Sequence, residues 1–358
     1  MTTPICDFVT EYSKKNTIRL HMPGAKGIIP YFGDTAKLDI TEIRGADYLY
    51  RADGIIKQSE QNASDIFGSL ETVYSTEGSS ICIKTMLAMT CNRGDTVIVI
   101  GDTHRSFNDG CYLLGIIPVK IKNARFLQAA LTRHPEAKAV FITAVDYLGA
   151  LENVRDIAAI THFHGKVLIA DNAHGAYLNF LDDGLAHPNK CLADLCCDSA
   201  HKTLPVLTGG AYLHINNPVY CSRAKQKMIL FGSTSPSYLI LQSLDYANSV
   251  ISRPEFTYSL TKIADKVLEI KSAFGITTAE PLKCVFLSET DPAPIFEELR
   301  IEPELLLKSD EGFIVILMFS AGNTSEEMET VKSALAMLKI KPEFEITDSL
   351  IRKCGKSE

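Results

Sequence analysis

Apolar positions in this chain fall into two regimes. Short continuous runs bounded by Gly, Pro, Asn or Asp alternate with longer stretches that carry helical spacing. The runs Glu71–Tyr74, Thr96–Ile100, Ala139–Thr143, Val167–Ala170, Ala193–Asp198 and Ala211–Ile215 predict strands, most of them buried on both faces, and another begins at Gly115–Val119. Between them, Ile55–Phe67, Ile81–Met89, a stretch ending at Cys111–Leu114, and Val154–His164 predict helices. Gly68 is the expected stop of the first. Alternation of strand and helix from about 70 to 215 predicts an α/β fold whose main sheet is mostly parallel and doubly wound, with right-handed crossovers. Beyond about 250 the order changes. A helix over Phe256–Phe274, strands over Leu282–Leu287 and Gly312–Met318, and a helix over Ser325–Leu338 predict a small α+β domain. Residues 1 to about 20 predict a short amphipathic helix with Phe8, Val9 and Tyr12 on one side. The expected division is an N-terminal arm (1–50), a large domain (51–250) and a small C-terminal domain (251–358).

Composition narrows the class. The 358 residues are 46% hydrophobic, enough for one large core and a smaller one. A net charge of -7 with both signs interspersed leaves no basic stripe for nucleic acid. No apolar run reaches the roughly 18 residues of a membrane span. The opening MTTPICDFVTEYSKKN lacks the apolar centre of a signal peptide, so a cytoplasmic location is expected. Ten cysteines are present without a Cys-x-x-Cys pair. No metal site is expected, and the thiols are expected reduced and mostly buried.

The candidate chemistry lies between Val167 and Leu207. Asp171 falls at the end of one apolar strand, and Ser199-Ala200-His201-Lys202 follows the next. Open α/β sheets build their sites at the carboxyl ends of strands. An amine and a carboxylate at neighbouring strand ends suit pyridoxal phosphate (PLP), with lysine on the aldehyde and aspartate on the ring nitrogen. On the residues alone, an acid after a strand and a Ser-x-His-Lys string are also ordinary structural features. The same two readings apply upstream. Gly78-Ser79-Ser80 opening a helix is either a phosphate cradle or a plain helix cap.

Asp-x-Ala-His-Gly at 171–175 followed by Ser-x-His-Lys-Thr-Leu at 199–204 resembles the Orn/Lys/Arg decarboxylase family, PLP-dependent enzymes of the aspartate-aminotransferase fold type (fold type I). Further blocks match in the same order. They are His21–Gly27, Asp39–Glu42 with Gly45–Leu49, the turn at Ser75–Ser80, Asp102–Ser106, Tyr147 with Gly149, and Ser233–Tyr238. The resemblance is strong from 20 to about 250 and weak beyond. It implies a catalytic set of Lys202 (Schiff-base lysine), Asp171 (ring-nitrogen partner) and His104 (stacked on the ring). It implies cofactor contacts from Gly78, Ser79, Ser80, Ala173, His174, Ser199 and His201, with His174 either near the ring's phenolic oxygen or orienting the neighbouring loop, and Ser199 and His201 either on the phosphate or fixing the lysine's approach. It also implies a homodimer with shared sites, in which the 1–50 arm crosses to a partner and Ser233, Thr234 or Ser235 reaches the partner's phosphate.

The chain departs from the family pattern at several positions. Asn172 stands for the usual Glu, Tyr177 and Tyr50 for His, and Val145-Asp146 for Pro-Thr. Its small domain is also shorter than in most members. The strand Phe313–Met318 contains no arginine to clamp a carboxylate as transaminases of this type do, which favours decarboxylation. The expected reaction is decarboxylation of arginine, lysine or ornithine to a polyamine precursor and CO2, with Asp146 and Glu304 as candidates for the acidic wall. Another PLP reaction, aminotransferase or lyase, and a non-catalytic role are the alternatives.

Overall fold

Runs without a polar face become central strands because both of their faces are covered, and every residue of Thr96–Ile100 and Ala211–Ile215 is buried. A computed structural model describes residues 1–15 and 17–341. The end of the expected small domain, with Arg352 and Cys354, lies outside the described residues. Two compact units emerge, Met1–Ala144 with Asn153–Arg253, and Val145–Glu152 with the chain from Pro254. The segment 145–152, expected in the large domain, thus belongs to the second unit.

In the first unit seven strands form one sheet. They are β1 (Glu71–Ser75), β2 (Thr96–Ile100), β3 (Ile117–Ile121), β4 (Ala139–Thr143), β5 (Val167–Asp171), β6 (Leu195–Asp198) and β7 (Ala211–Ile215), in the order β1-β7-β6-β5-β4-β2-β3. Strands β2 to β6 are mutually parallel, while β7 is antiparallel to both β6 and β1. The reversal has a simple cause. Only Ser199–Gly210 separates β6 from β7, at the lower limit for a crossover to a parallel strand, and its one helical stretch is the four residues Ala200–Thr203. Because β1 is antiparallel to the reversed strand, it ends on the same edge as β2 to β6. The helices are α1 (Pro4–Lys14), α2 (Ile55–Phe67), α3 (Ser79–Thr90), α4 (Arg105–Leu114), α5 (Leu127–Arg133), α6 (Val154–Phe163), α7 (Ala200–Thr203), α8 (Ala224–Met228) and α9 (Tyr238–Ile251).

Strand alternation divides the core into two layers. Val97, Val99, Ile169 and Cys197 pack with Ile83, Met86 and Leu87 of α3, whereas Ile98, Ile100, Ala170 and Cys196 pack with Leu131 of α5 and Ile157 of α6. Helix α2 ends as expected, with Gly68 in the left-handed region at φ 64°. Helix α1 is shorter than expected. Its buried residues are Ile5 and Val9, one turn apart, while Phe8 and Tyr12 are only half-buried. The carboxylate of Asp245 on α9 accepts the N–H groups of Ile5 and Cys6 at 2.9 Å each, docking the start of α1. Further along the arm, Ile18, Leu20, Met22, Ile28 and Tyr31 are all more than half exposed.

The second unit contains helices α10 (Pro254–Phe274), α11 (Ala293–Glu298) and α12 (Ser325–Ala336) with a four-stranded sheet. Its strands are β8 (Lys283–Ser288), β9 (Leu305–Ser309), β10 (Gly312–Met318) and β11 (Ile340–Lys341), all pairs antiparallel, in the order β11-β8-β10-β9. The carboxylate of Asp146 accepts the Ala150 N–H at 2.7 Å, and Glu304 accepts the Tyr147 hydroxyl at 3.2 Å. Both proposed acidic-wall residues therefore have hydrogen-bond work within this unit. Among the described residues no helix is long and apolar enough to cross a membrane.

Candidate functional site

The carboxyl ends of β1, β2, β5 and β6 lie on one edge, and each leads to part of the site. Strand β5 ends at Asp171, whose side chain is 2% exposed. It lies on the α3 side of the sheet, beside its register partner Cys197. One carboxylate oxygen accepts the Ala173 N–H at 3.1 Å and faces the Cys197 thiol at 3.8 Å. Burial pushes the Asp171 carboxyl up; the Ala173 N–H and the nearby Lys202 and His104 pull it back without reversing the shift.

Beyond β6, helix α7 presents Lys202, with Nζ 2.9 Å from Nε2 of His174. The imidazole expected near a phenolic oxygen or orienting the neighbouring loop therefore sits against the lysine amine. His201 places Nδ1 3.0 Å from the Gly210 carbonyl, so that nitrogen carries the proton and Nε2 is left as an acceptor. Ser199 Oγ donates to Ser79 Oγ at 2.7 Å, joining the lysine turn to the start of α3.

Beyond β1, the turn before α3 is bound in an unexpected way. The Gly78 N–H points to the Gly209 carbonyl at 2.7 Å rather than outward. The amides available to an anion are those of Ser79 and Ser80, in the first turn of a twelve-residue helix, where N–H groups lack intrahelical acceptors. Glu77 turns out of the site, accepting the Ser233 N–H at 2.6 Å. Ser233 and Thr234 are exposed, and Ser233 Oγ accepts the Ser235 N–H at 3.1 Å. Beyond β2, His104 caps α4. Its Nδ1 accepts the Ser106 N–H at 3.2 Å, which leaves the ring proton on Nε2. Ser106 Oγ donates onward to Ser80 at 2.8 Å.

Hydrogen bonds thus connect His104, Ser106 and Ser80, and separately Ser79 with Ser199, and Lys202 with His174. Ala173 is buried beside Asp171. Sequence reasoning did not single out Ser106 or Gly209. Gly209 has φ 98°, and an added Cβ would stand 2.9 Å from the Thr76 carbonyl. Gly209→Ala is expected to cost about 1–3 kcal/mol of stability through backbone strain and to loosen the serine turn. Thermal unfolding and a PLP titration of the variant measure both effects.

These residues fit PLP. A buried carboxylate whose charge is only partly compensated calls for a cationic N–H, an amine stands on the neighbouring strand end, and a serine-lined helix start offers donors to a phosphate.

Comparison with known proteins points the same way. Residues 3–298 match the family model described as Orn/Lys/Arg decarboxylase, major domain. The chain is 26% identical to the uncharacterised protein YaaO of Bacillus subtilis, covering 98% of this chain and 77% of that protein. It is also 26% identical to an arginine decarboxylase of Halalkalibacterium halodurans, covering 94% and 77%. Among solved structures, the Francisella novicida lysine decarboxylase LdcF superposes with a TM-score of 0.76 at 17% identity, covering 93% of this chain but only 59% of that one. A structure of SPT with PLP superposes at 0.61 with 18% identity, covering 78% and 74%. The fold is the PLP fold type I architecture of these neighbours, and the chain belongs to the Orn/Lys/Arg decarboxylase family.

Proposed function

We propose that this protein is a PLP-dependent decarboxylase of a basic amino acid (arginine, lysine or ornithine), yielding a polyamine precursor and CO2. The observation that carries the reading is the pair formed by Lys202 and Asp171 at the ends of adjacent parallel strands, with the serine turn of α3 on the same edge. When bound, PLP supplies an electron sink for the pair left on Cα after CO2 departs. The chain's own residues do the rest. Lys202 carries the aldehyde. Asp171 stays ionised against the ring N–H, which relieves the burial that otherwise raises its pKa. His104 covers the ring face and offers Nε2–H to the substrate carboxylate. His174, against Lys202 Nζ, holds or returns a proton at that amine. Ser79 and Ser80 would hold the phosphate, while Ser199, through Ser79, and His201, through Gly210, fix the approach of the lysine turn.

The test is CO2 release from each basic amino acid by the PLP-loaded chain. Release from one of them supports the assignment. Bound cofactor with no CO2 from any would transfer the site to another PLP reaction.

The proposal includes a cytoplasmic homodimer with shared sites. The exposed apolar residues of the arm and the exposed Ser233-Thr234 turn supply surface for it. Lys202→Ala and Ser233→Ala/Thr234→Ala chains are each expected to be weakly active alone. Refolded together they should recover about a quarter of wild-type CO2 release, since half of the dimers then carry one intact site. Absence of recovery would refute sharing.

A further inference from the structure

The edge that carries the site has a second polar cluster on its other face. Asp171 lies with Cys197 on the α3 side, whereas Asp198 lies with Cys196 on the side of α5 and α6. Asp198 is 0% exposed. One oxygen accepts the Asn172 amide at 2.7 Å. The other lies 3.0 Å from Nε2 of both His187 and His214. Nδ1 of His187 accepts the Asn189 N–H at 3.2 Å, so its proton is on Nε2. Nδ1 of His214 lies 2.9 Å from the Thr72 hydroxyl. The Phe67 ring packs 4.6 Å from the His214 ring and 5.7 Å from the His187 ring. Cys196 lies within 4.8 Å of His187 and Asp198, a donor set of metal-binding type. Both oxygens of Asp198 already accept N–H donors, however, which marks a closed hydrogen-bonded network.

Burial would push the Asp198 carboxyl up, but the imidazoles of His187 and His214 outweigh it and hold the group well below the usual carboxylate range. Burial lowers His214 and keeps it neutral. An anion is therefore held by N–H donors on three segments. Asn172 directly follows Asp171, and Ser199 directly follows Asp198 at the start of the lysine turn. The network ties the residue after the acid to the residue before that turn.

Resting on the PLP reading above, we propose that Asp198, with His187, His214 and Asn172, is the positioning anchor of the Asp171–Lys202 pair, locking the ends of β5 and β6 at the spacing the cofactor requires. Asp198 acts through Asn172 and the lysine turn. A carboxylate suits this place because it only accepts, and all of its neighbours donate. In Asp198→Asn the new amide oxygen accepts from the imidazoles, but its NH2 is met only if Asn172 turns over to present its oxygen, and the charge that strengthens all three hydrogen bonds is lost.

The experiment compares wild type, Asp198→Asn and the swap Asp198→Asn/Asn172→Asp. The readouts are thermal unfolding, PLP affinity, and the visible circular dichroism of bound PLP, which reports ring orientation. Asp198→Asn is expected to unfold cooperatively yet bind PLP about tenfold or more weakly, the scale of a hydrogen bond to a charged group, with reduced dichroism. In the swap the amide oxygen introduced on β6 faces the imidazoles and its NH2 faces the carboxylate introduced after β5, so every pair is again donor to acceptor. Affinity should return to within about threefold of wild type, a coupling that a double-mutant cycle isolates. If Asp198→Asn does not fold, the swap alone decides, and a swap that fails to fold or to bind PLP overturns the anchor. A folded Asp198→Asn with unchanged affinity and dichroism overturns it while leaving the functional reading intact. Wild type that binds no PLP overturns both.

Discussion

Lys202→Ala is expected to leave a folded protein that binds PLP only reversibly and releases CO2 at least about 10³-fold more slowly, within the range for loss of a group that moves protons at the reacting centre. The fold should tolerate the change. The backbone of α7 is held by bonds unrelated to the amine, Lys202 N–H to Ser199 and His201 N–H to Gly210, and alanine is a strong helix former. The chemistry should not tolerate it, because Lys202 supplies the amine that stands at this edge against His174. Lys271 is the instructive comparison. It is buried, and burial lowers its pKa, as nucleophilic lysines require. Yet it lies in the second unit, with Nζ donating to the Thr278 and Glu280 carbonyls. Borohydride reduction of the PLP-loaded wild type, followed by peptide mass mapping, should mark Lys202 and leave Lys271 unmarked. Lys202→Arg, which keeps a charge but cannot link to an aldehyde, should be as inactive as the alanine variant. A reduced adduct on another lysine, or an active Lys202→Arg, would defeat the assignment.

The parts of this molecule legible from its sequence are those where one local signal decides the outcome. The runs Thr96–Ile100, Ala139–Thr143, Ala211–Ile215 and Gly312–Met318 are apolar and sharply bounded, and they form strands over those same residues. Gly68 ends α2 because its left-handed backbone suits glycine. Other features depend on partners distant in the chain. Strand β9 was missed because only Leu305 in it is fully buried, so its apolar signal is weak. The reversal of β7 has a signal, the short path from Ser199 to Gly210, but alternation of elements masks it. Asp171 and Lys202 were found as strand-end residues. His187 and His214 were not, since one follows an ordinary loop and the other sits within a strand buried along its whole length. Their importance comes from Asp198, 11 and 16 positions away respectively. Contact of Gly78 with Gly209 is likewise a property of the folded edge.

Asp171→Asn should separate stability from function by moving them in opposite directions. Without cofactor, burial holds the Asp171 carboxyl above its ordinary value of 3.8. Between the unfolded and folded pKa values the folded chain binds more protons than the unfolded one. Stability therefore falls as pH rises through that window and stays lower above it. Asparagine has no such loss, and its side-chain oxygen can still accept the Ala173 N–H. Cofactor-free Asp171→Asn should match wild type on the acid side and melt at the same or a higher temperature near neutrality. Added PLP should reverse the order. Wild type gains stability by mass action from a ligand bound to the folded state, and the variant gains less because the ring N–H has lost its anion. CO2 release should fall by about 10²–10³-fold, the scale for removing one preorganised electrostatic partner. Melting curves at acid and neutral pH, with and without PLP, test the crossing directly. If the variant were less stable than wild type without cofactor and equally stabilised by PLP, the carboxylate at the end of β5 would be a structural acid and the site would lose its ring-nitrogen partner.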